Sequence, residues 1–527
     1  TVAKKKTQSK DISATPGTWT SPISARDLTR GARRFGSSLG DGAHVYWTES
    51  RPSEKGRQVI VRAIPGKPAE DVLPKPYSAR SRVHEYGGGE FLPAGDTVYF
   101  VNAEDQDIWQ IPVSSRRRKP IRVTDAPDLR FADMTLDGHR QRLVAVCERH
   151  PASPGHVQPQ NLIAAVGLTP DDRGRITELA TGRDFYAFPR LSPDGRQLAF
   201  IAWDLPGMPW DEARLYVAPV RADGTVGRPR AIAGGKGVAA MQPAWLDETN
   251  LLYLADSNGF GNLHKWDGKV ARAITRLKSE LGQPMWQLGS RTFVVAGPDH
   301  TIISADDDGE AALLHITNLH KGRPALELKT VPVASLGAIA HYDGGVAAGI
   351  SRDKTASALV AVTDRRRSPV ILRTASDLDL DPRGISVGRT VAFRGGDRKT
   401  TYAQLYRPTS SSNKLARGAL PPAIILAHGG PTASCGRGLS LRIQYYTSRG
   451  FTVLDVDYAG STGYGRTYRE RLDGKWGIAD VADCAAGARF LASEGLADGA
   501  KIAIAGGSAG GYTVLMALAT TTAFSAG

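Results

Sequence analysis

No apolar run in the sequence approaches the roughly 18 residues of a membrane-spanning helix, so the protein is read as soluble, with no membrane partner. Cysteine is scarce. Cys147, Cys435 and Cys484 are odd in number, scattered and without metal-ligand spacing, which argues against a disulfide framework or a zinc site and fits free thiols in a reducing compartment. The basic start, Thr1 to Lys10, is followed by no apolar segment of the kind a secretory signal carries, and a cytoplasmic location is expected. The acidic run Asp306-Asp-Asp308-Gly309 lacks the downstream glutamate of a calcium loop and reads as a turn, so neither metal nor cofactor is expected.

Negative charge is also short, leaving a net charge of +14. The densest basic runs, Arg116 to Lys119 and Arg365 to Arg367, fall in polar connectors without interleaved aromatics. They read as solvated surface, and no nucleic-acid partner is expected. A length of 527 residues is too great for one ordinary core and calls for two or more domains.

After a polar, patternless segment (residues 1–35), a unit recurs every 40 to 55 residues: a turn, a short β-type run, a second turn, another run. The first runs are 44–47, 97–101, 142–146, 197–201, 251–254, 292–296 and 345–348; the second include 59–61, 107–111, 162–166, 215–217, 263–266, 312–316 and 358–362. Ser192-Pro-Asp-Gly195 carries type I turn chemistry immediately ahead of one of them. Seven units at this period predict a seven-bladed β-propeller over residues 36–380, with a β-sandwich as the alternative.

Beyond Asp377 to Pro382 the texture changes. A hairpin at 391–393 and 402–406 gives way to strands alternating with helices: 423–427, helix 439–449, 452–456, helix 478–494, and 501–505. That order predicts a mostly parallel, doubly wound α/β domain over 381–527. At its end Gly506-Gly-Ser508-Ala-Gly510 lies between a buried strand and a helix former. This is the context of a nucleophile elbow, with glycines two residues to either side of a strained serine. Ser508 is the candidate acylating nucleophile, and the Ala509 amide a candidate oxyanion donor.

The pair His428-Gly-Gly-Pro431 and Gly506-Gly-Ser-Ala-Gly-Gly-Tyr512, with Asp457 to Gly465 and Trp476 to Asp480 between them, resembles the prolyl oligopeptidase family of serine peptidases. The acylaminoacyl-peptidase and dipeptidyl-aminopeptidase-like branch is the nearest. Arg82 to Gly89 and Met208 to Asp211 resemble that branch as well. The resemblance implies a seven-bladed propeller capping an α/β-hydrolase domain, an active site in a cavity between them, and short peptides as substrates; a homo-oligomer is compatible with it. It further implies an acyl-enzyme on Ser508, with the oxyanion held by the amides of Ala509 and Gly430.

His428 precedes the serine, whereas the fold's base follows it, so a structural role in the oxyanion loop is expected. No histidine lies after residue 428, and Gly527 is nineteen residues beyond Ser508. A fragment, incomplete at its C-terminus and inactive for want of the triad Asp and His, is therefore expected. A catalytically dead scaffold and an esterase on the same fold are the competing classes. The residues that read substrate subsites are unknown from the sequence. Glu85 is a candidate acidic contact for a peptide amine, its alternative being a buried hydrogen-bonded carboxylate.

Overall fold

Runs of four to eight β-branched, aromatic and aliphatic residues are too short for stable helices and fold as strands. They build seven antiparallel four-stranded sheets spanning residues 34–71, 91–122, 129–180, 185–234, 240–273, 293–330 and 335–374. The computed structural model describes residues 15–28, 33–114, 118–150, 158–307, 310–321, 323–363 and 368–527. Thr1 to Lys10, Arg116, Arg117, Arg365–Arg367, Asp308 and Gly309 lie outside the described residues.

Within each blade the strands follow chain order, and the first strands of successive blades pack side by side around a ring. In six blades the runs read from the sequence are the second and third strands. These are covered by sheet on both faces; Leu251–Ala255, for example, is buried throughout. Outermost strands such as Glu70–Asp71 and Ala325–Thr330 are largely exposed, so they lack the continuous apolar run of a strand buried on both faces. Blade six differs. There the run at 292–296 is the first strand, Phe293–Gly297, and the second is His300–Asp307, whose polar ends hide it.

No strand is shared where blade seven meets blade one. The two first strands approach so closely that a Cβ on Gly40 would lie 1.7 Å from the His341 carbonyl oxygen. Towards the other end of blade one's strands Glu49, fully buried, accepts hydrogen bonds from Arg51 Nε (2.7 Å) and Trp47 Nε1 (3.4 Å) of blade one. From blade seven, Arg373 donates to the same carboxylate at 3.0 and 3.1 Å. Burial pushes this carboxyl up, but Arg373 and Arg51 outweigh it and hold it below the usual range.

Contacts divide the chain into two units, residues 31–350 with 358–376, and residues 351–357 with 377–527 and the first thirty. In the second unit β1 (Arg389–Arg394) and β2 (Thr400–Tyr406) form a hairpin, followed by β3 (Ala423–Ala427), α1 (Leu441–Thr447), β4 (Thr452–Asp457), α2 (Ala479–Ser493), β5 (Ile502–Gly506) and α3 (Ala509–Thr520). The sheet order is β1-β2-β4-β3-β5. Pairs β3/β4 and β3/β5 are parallel, and the hairpin joins antiparallel through β2/β4.

Side chains alternate across this sheet. Ile425, Leu454 and Ile504 face α2 and α3, whereas Ile424, Leu426 and Val453 face Ile443 of α1. The sheet is thus covered on both faces, as a doubly wound fold requires. Helix α1 is shorter than the span 439–449, because Ser440 caps its start, accepting from the Ile443 amide at 3.5 Å.

Candidate active site

Strand β3 lies between β4 and β5, so its C-terminal loop emerges beside the end of β5, where Ser508 sits. Ser508 has φ 55° and ψ −123°, a conformation that L residues adopt only where the surroundings enforce it. The enforcement comes from close packing of strand on helix. A Cβ on Gly510 would lie 2.1 Å from the Ala427 carbonyl oxygen, and one on Gly506 would lie 2.4 Å from that of Gly510. Glycine at both places lets β5 turn directly into α3, which begins at Ala509 immediately after the serine.

The turn leaves Ser508 exposed and puts the Ala509 amide in the first turn of α3, where no intrahelical acceptor exists. The loop 428–431 borders it, since a Cβ on Gly429 would stand 3.5 Å from Ser508 Cβ. Gly430 follows with φ 124°. Serine, Ala509 amide and Gly430 therefore gather at one sheet edge. Among the described residues, no histidine or carboxylate hydrogen-bonds to the Ser508 hydroxyl.

His428 is occupied elsewhere. Its Nδ1 is 2.8 Å from the Gly429 carbonyl oxygen and its Nε2 is 2.8 Å from Ser461 Oγ. The ring stacks on Tyr458 (4.3 Å, 16°), whose hydroxyl donates back to the His428 carbonyl at 2.7 Å. Burial pushes the imidazole below its ordinary pKa, keeping it neutral at pH 7. It anchors the loop.

Three further supports were not legible as such in the sequence. Asp480, buried in the first turn of α2, accepts from the Gly477 amide (2.7 Å) and from Thr513 Oγ1 of α3 (2.6 Å), tying the elbow helix down. Trp476 packs edge-on against Tyr512, one turn beyond the serine. At the end of β4, Asp457 accepts from the Cys435 amide and the Tyr464 hydroxyl, both at 2.7 Å. The spacing of Asp480 four residues after Trp476 was visible, but its partner Thr513 lies 33 residues away and local pattern cannot supply it.

Asp455 shares a strand face with Asp457. Burial pushes its carboxyl up to about 7, against a hydrogen bond from the Cys435 thiol that pulls it down. Burial and the two carboxylates hold that thiol well above its usual range, so it stays protonated.

Glu85, on the propeller unit, is not the buried carboxylate of the structural alternative. Its side chain is 80% exposed and pairs with Arg130 at 3.2 Å, which also lies 3.6 Å from Glu148.

Residues 437–527 match the model of the prolyl oligopeptidase family. Dipeptidyl peptidase family member 6 of Caenorhabditis elegans is 34% identical over 145 residues, 24% of this chain and 20% of that protein. The acylamino-acid-releasing enzyme of Arabidopsis thaliana is 37% identical over 103 residues, 20% of this chain and 14% of the plant protein. The aligned stretch thus covers a fifth or less of these two curated relatives. Among solved structures, a Mycobacterium tuberculosis puromycin-hydrolyzing peptidase superimposes with TM-score 0.90 at 33% identity, over 97% of this chain and 79% of the other. Pyrococcus horikoshii acylaminoacyl peptidase shares the fold at 16% identity, with TM-score 0.66 over 94% of this chain and 77% of its own. With a relative one-third identical along nearly its whole length, propeller and elbow included, the chain belongs to the prolyl oligopeptidase family.

Proposed function

We propose that the chain carries the nucleophile and oxyanion site of a serine-type peptidase acting on short peptides. The observation that carries this reading is the strained, exposed Ser508 at a strand-to-helix elbow, bordered by the 428–431 loop. Ser508 Oγ attacks the scissile carbonyl carbon and its proton passes to a base. The carbonyl oxygen, now anionic, takes hydrogen bonds from the Ala509 and Gly430 amides; the leaving amine departs protonated, and water then releases the acyl group. Relatives named as dipeptidyl peptidase, acylamino-acid-releasing enzyme and puromycin hydrolase support peptide or aminoacyl amide substrates. Three free cysteines support a reducing, cytoplasmic setting.

In this fold the acid and base follow the serine in the chain. Residues 1–527 expressed alone are therefore expected to hydrolyse peptides at least about a thousandfold more slowly than a polypeptide that also supplies those groups. In the latter, Ser508→Ala should abolish both turnover and labelling by an active-site organophosphonate while leaving circular dichroism unchanged. Undiminished turnover would refute the assignment.

The alternative is a non-catalytic scaffold. The intact mass of the protein from its natural source decides between them. A value at the 56.3 kDa of these residues supports the scaffold, and a clearly larger one the peptidase.

A further inference from the structure

In each blade the fourth strand lies at the rim of the ring, its outer edge unpaired among the described residues, and in six blades that edge is blunted. The outermost strands of blades one, two and five, Glu70–Asp71, Ile121–Arg122 and Ala271–Ala273, are only two or three residues long. Those of blades three, four and seven, Ile176–Ala180, Arg230–Gly234 and Val370–Thr374, have five residues, but each is broken by a register shift against its neighbour. Short or kinked edges are poor templates for another strand.

Blade six is the exception. Ala325–Thr330 runs six residues in unbroken register against Glu310–Thr317, from Ala325 opposite Thr317 to Thr330 opposite Ala312, with no proline or glycine inside it. Leu326 and Leu328, two residues apart and so on one face, are 47% and 42% exposed. Val331 donates its amide to the Ala311 carbonyl at 2.8 Å. By the alternation of an antiparallel ladder, Lys329 and Glu327 then aim their backbone groups inward, and Leu326, Leu328 and Thr330 aim theirs out. Among the described residues nothing pairs with these outward groups.

A long open edge is completed by a second strand, and charge decides which strand fits. Charges of one sign on a rim repel a copy of that rim, but here they alternate: Glu327 and Lys329 share the face opposite the leucines, with Oε2 and Nζ 3.9 Å apart. A two-fold axis through Leu328 sets its outward groups against those of Leu328 of the partner subunit, and those of Leu326 against Thr330 of the partner subunit. The same register brings Glu327 opposite Lys329 of the partner subunit, on both sides of the axis, in the non-hydrogen-bonded positions where side chains lie closest. An axis through residue 327 or 329 would instead oppose two glutamates or two lysines.

We propose that the rim of blade six is a homodimer interface, in which Ala325–Thr330 pairs antiparallel with the same strand of a second copy about a two-fold axis at Leu328. Leu326 and Leu328 of both copies form one apolar row across the junction, and the paired charges form another on the opposite face. The interface belongs to the propeller unit and does not depend on Ser508 being a nucleophile.

Analytical ultracentrifugation of the full chain between about 1 and 100 μM, the range of a small interface, tests this. The wild type should shift with concentration from the 56.3 kDa monomer towards twice that mass. Glu327→Lys or Lys329→Glu alone puts like charges at both contacts and should weaken the dimer by about tenfold or more. An equimolar mixture of the two variants restores opposite charges in the mixed dimer and should associate as the wild type does, a recovery that neither misfolding nor contact through another surface imitates. Hydrogen exchange at the Leu326 and Leu328 amides should slow as concentration rises. A wild type that stays monomeric leaves the rim to a strand of a different protein and overturns the proposal, as do single variants that dimerise undiminished. Slow exchange at those amides at every concentration overturns it too, since another segment of the same chain then covers the rim.

Discussion

Asp455 and His428 stand close to the serine loop and respond to pH in opposite senses. Unfolded, Asp455 ionises near 3.8; folded, it keeps its proton to about 7, because burial disfavours the anion. The stability lent by the neutral acid is therefore complete below about pH 4 and lost as pH rises towards 7. His428 is held below 6.5, so the unfolded chain takes up the proton first and stability falls as pH drops through that value. Replacing Asp455 by Asn removes the first effect and keeps the second. Between about pH 4.5 and 7.5 the wild type should lose urea-midpoint stability relative to Asp455→Asn, and parallel curves would show that Asp455 titrates normally.

At the scale of elements, the elbow depends on how close β3, β5 and α3 lie. A methyl group at residue 510 meets the Ala427 carbonyl oxygen at 2.1 Å, and backbone on both sides leaves neither partner free to yield. Gly510→Ala should destabilise the second unit by about 2–4 kcal/mol in denaturant unfolding, within the range for overpacking against backbone. Thr513→Val leaves Asp480 buried with one partner fewer, at about 1–3 kcal/mol. A loss well under 1 kcal/mol in either variant would mean that the elbow relaxes.

Much of this element was legible beforehand. The apolar strand, the glycines flanking Ser508 and the helix former after them are local signals, and seven blades followed from a period carried by doubly covered central strands. The rest was not. Edge strands such as Glu70–Asp71 have no apolar pattern, the second strand of blade six is masked by polar ends, and contacts such as Asp480 with Thr513 or Asp457 with Cys435 join residues too far apart in sequence for any window to connect. For Glu85 it was the buried alternative that failed, for a related reason, since exposure depends on partners that the sequence does not display.

At the scale of the whole molecule, each unit keeps its own core, and the propeller ring is closed without a shared strand, by side chains together with isolated backbone hydrogen bonds such as Asp343 N–H to the Gly42 carbonyl at 2.9 Å. Glu49, fully buried and shared between Arg51 and Arg373, is the polar centre of that closure. Losing Arg373 leaves Glu49 buried but still paired with Arg51, so the cost is that of one charged hydrogen-bond partner, about 1–3 kcal/mol, rather than that of an uncompensated buried charge. Arg373 is a third exposed, so the lower end of that range applies to Arg373→Met. Thermal unfolding of that variant should begin several degrees lower, and an unchanged onset would place the closure elsewhere.

That closure has an evolutionary side. Since every sheet is built from consecutive strands and none borrows one from its neighbour, a blade could be duplicated or deleted with the strand ladders of the others intact, at the cost of a few backbone bonds between blades such as Ala240 N–H to the Ala213 carbonyl. Connectivity does not count the blades. What the chain does not join covalently, the seam joins by fit: Gly40 admits the His341 carbonyl, Gly42 accepts from the Asp343 amide and Glu49 finds Arg373.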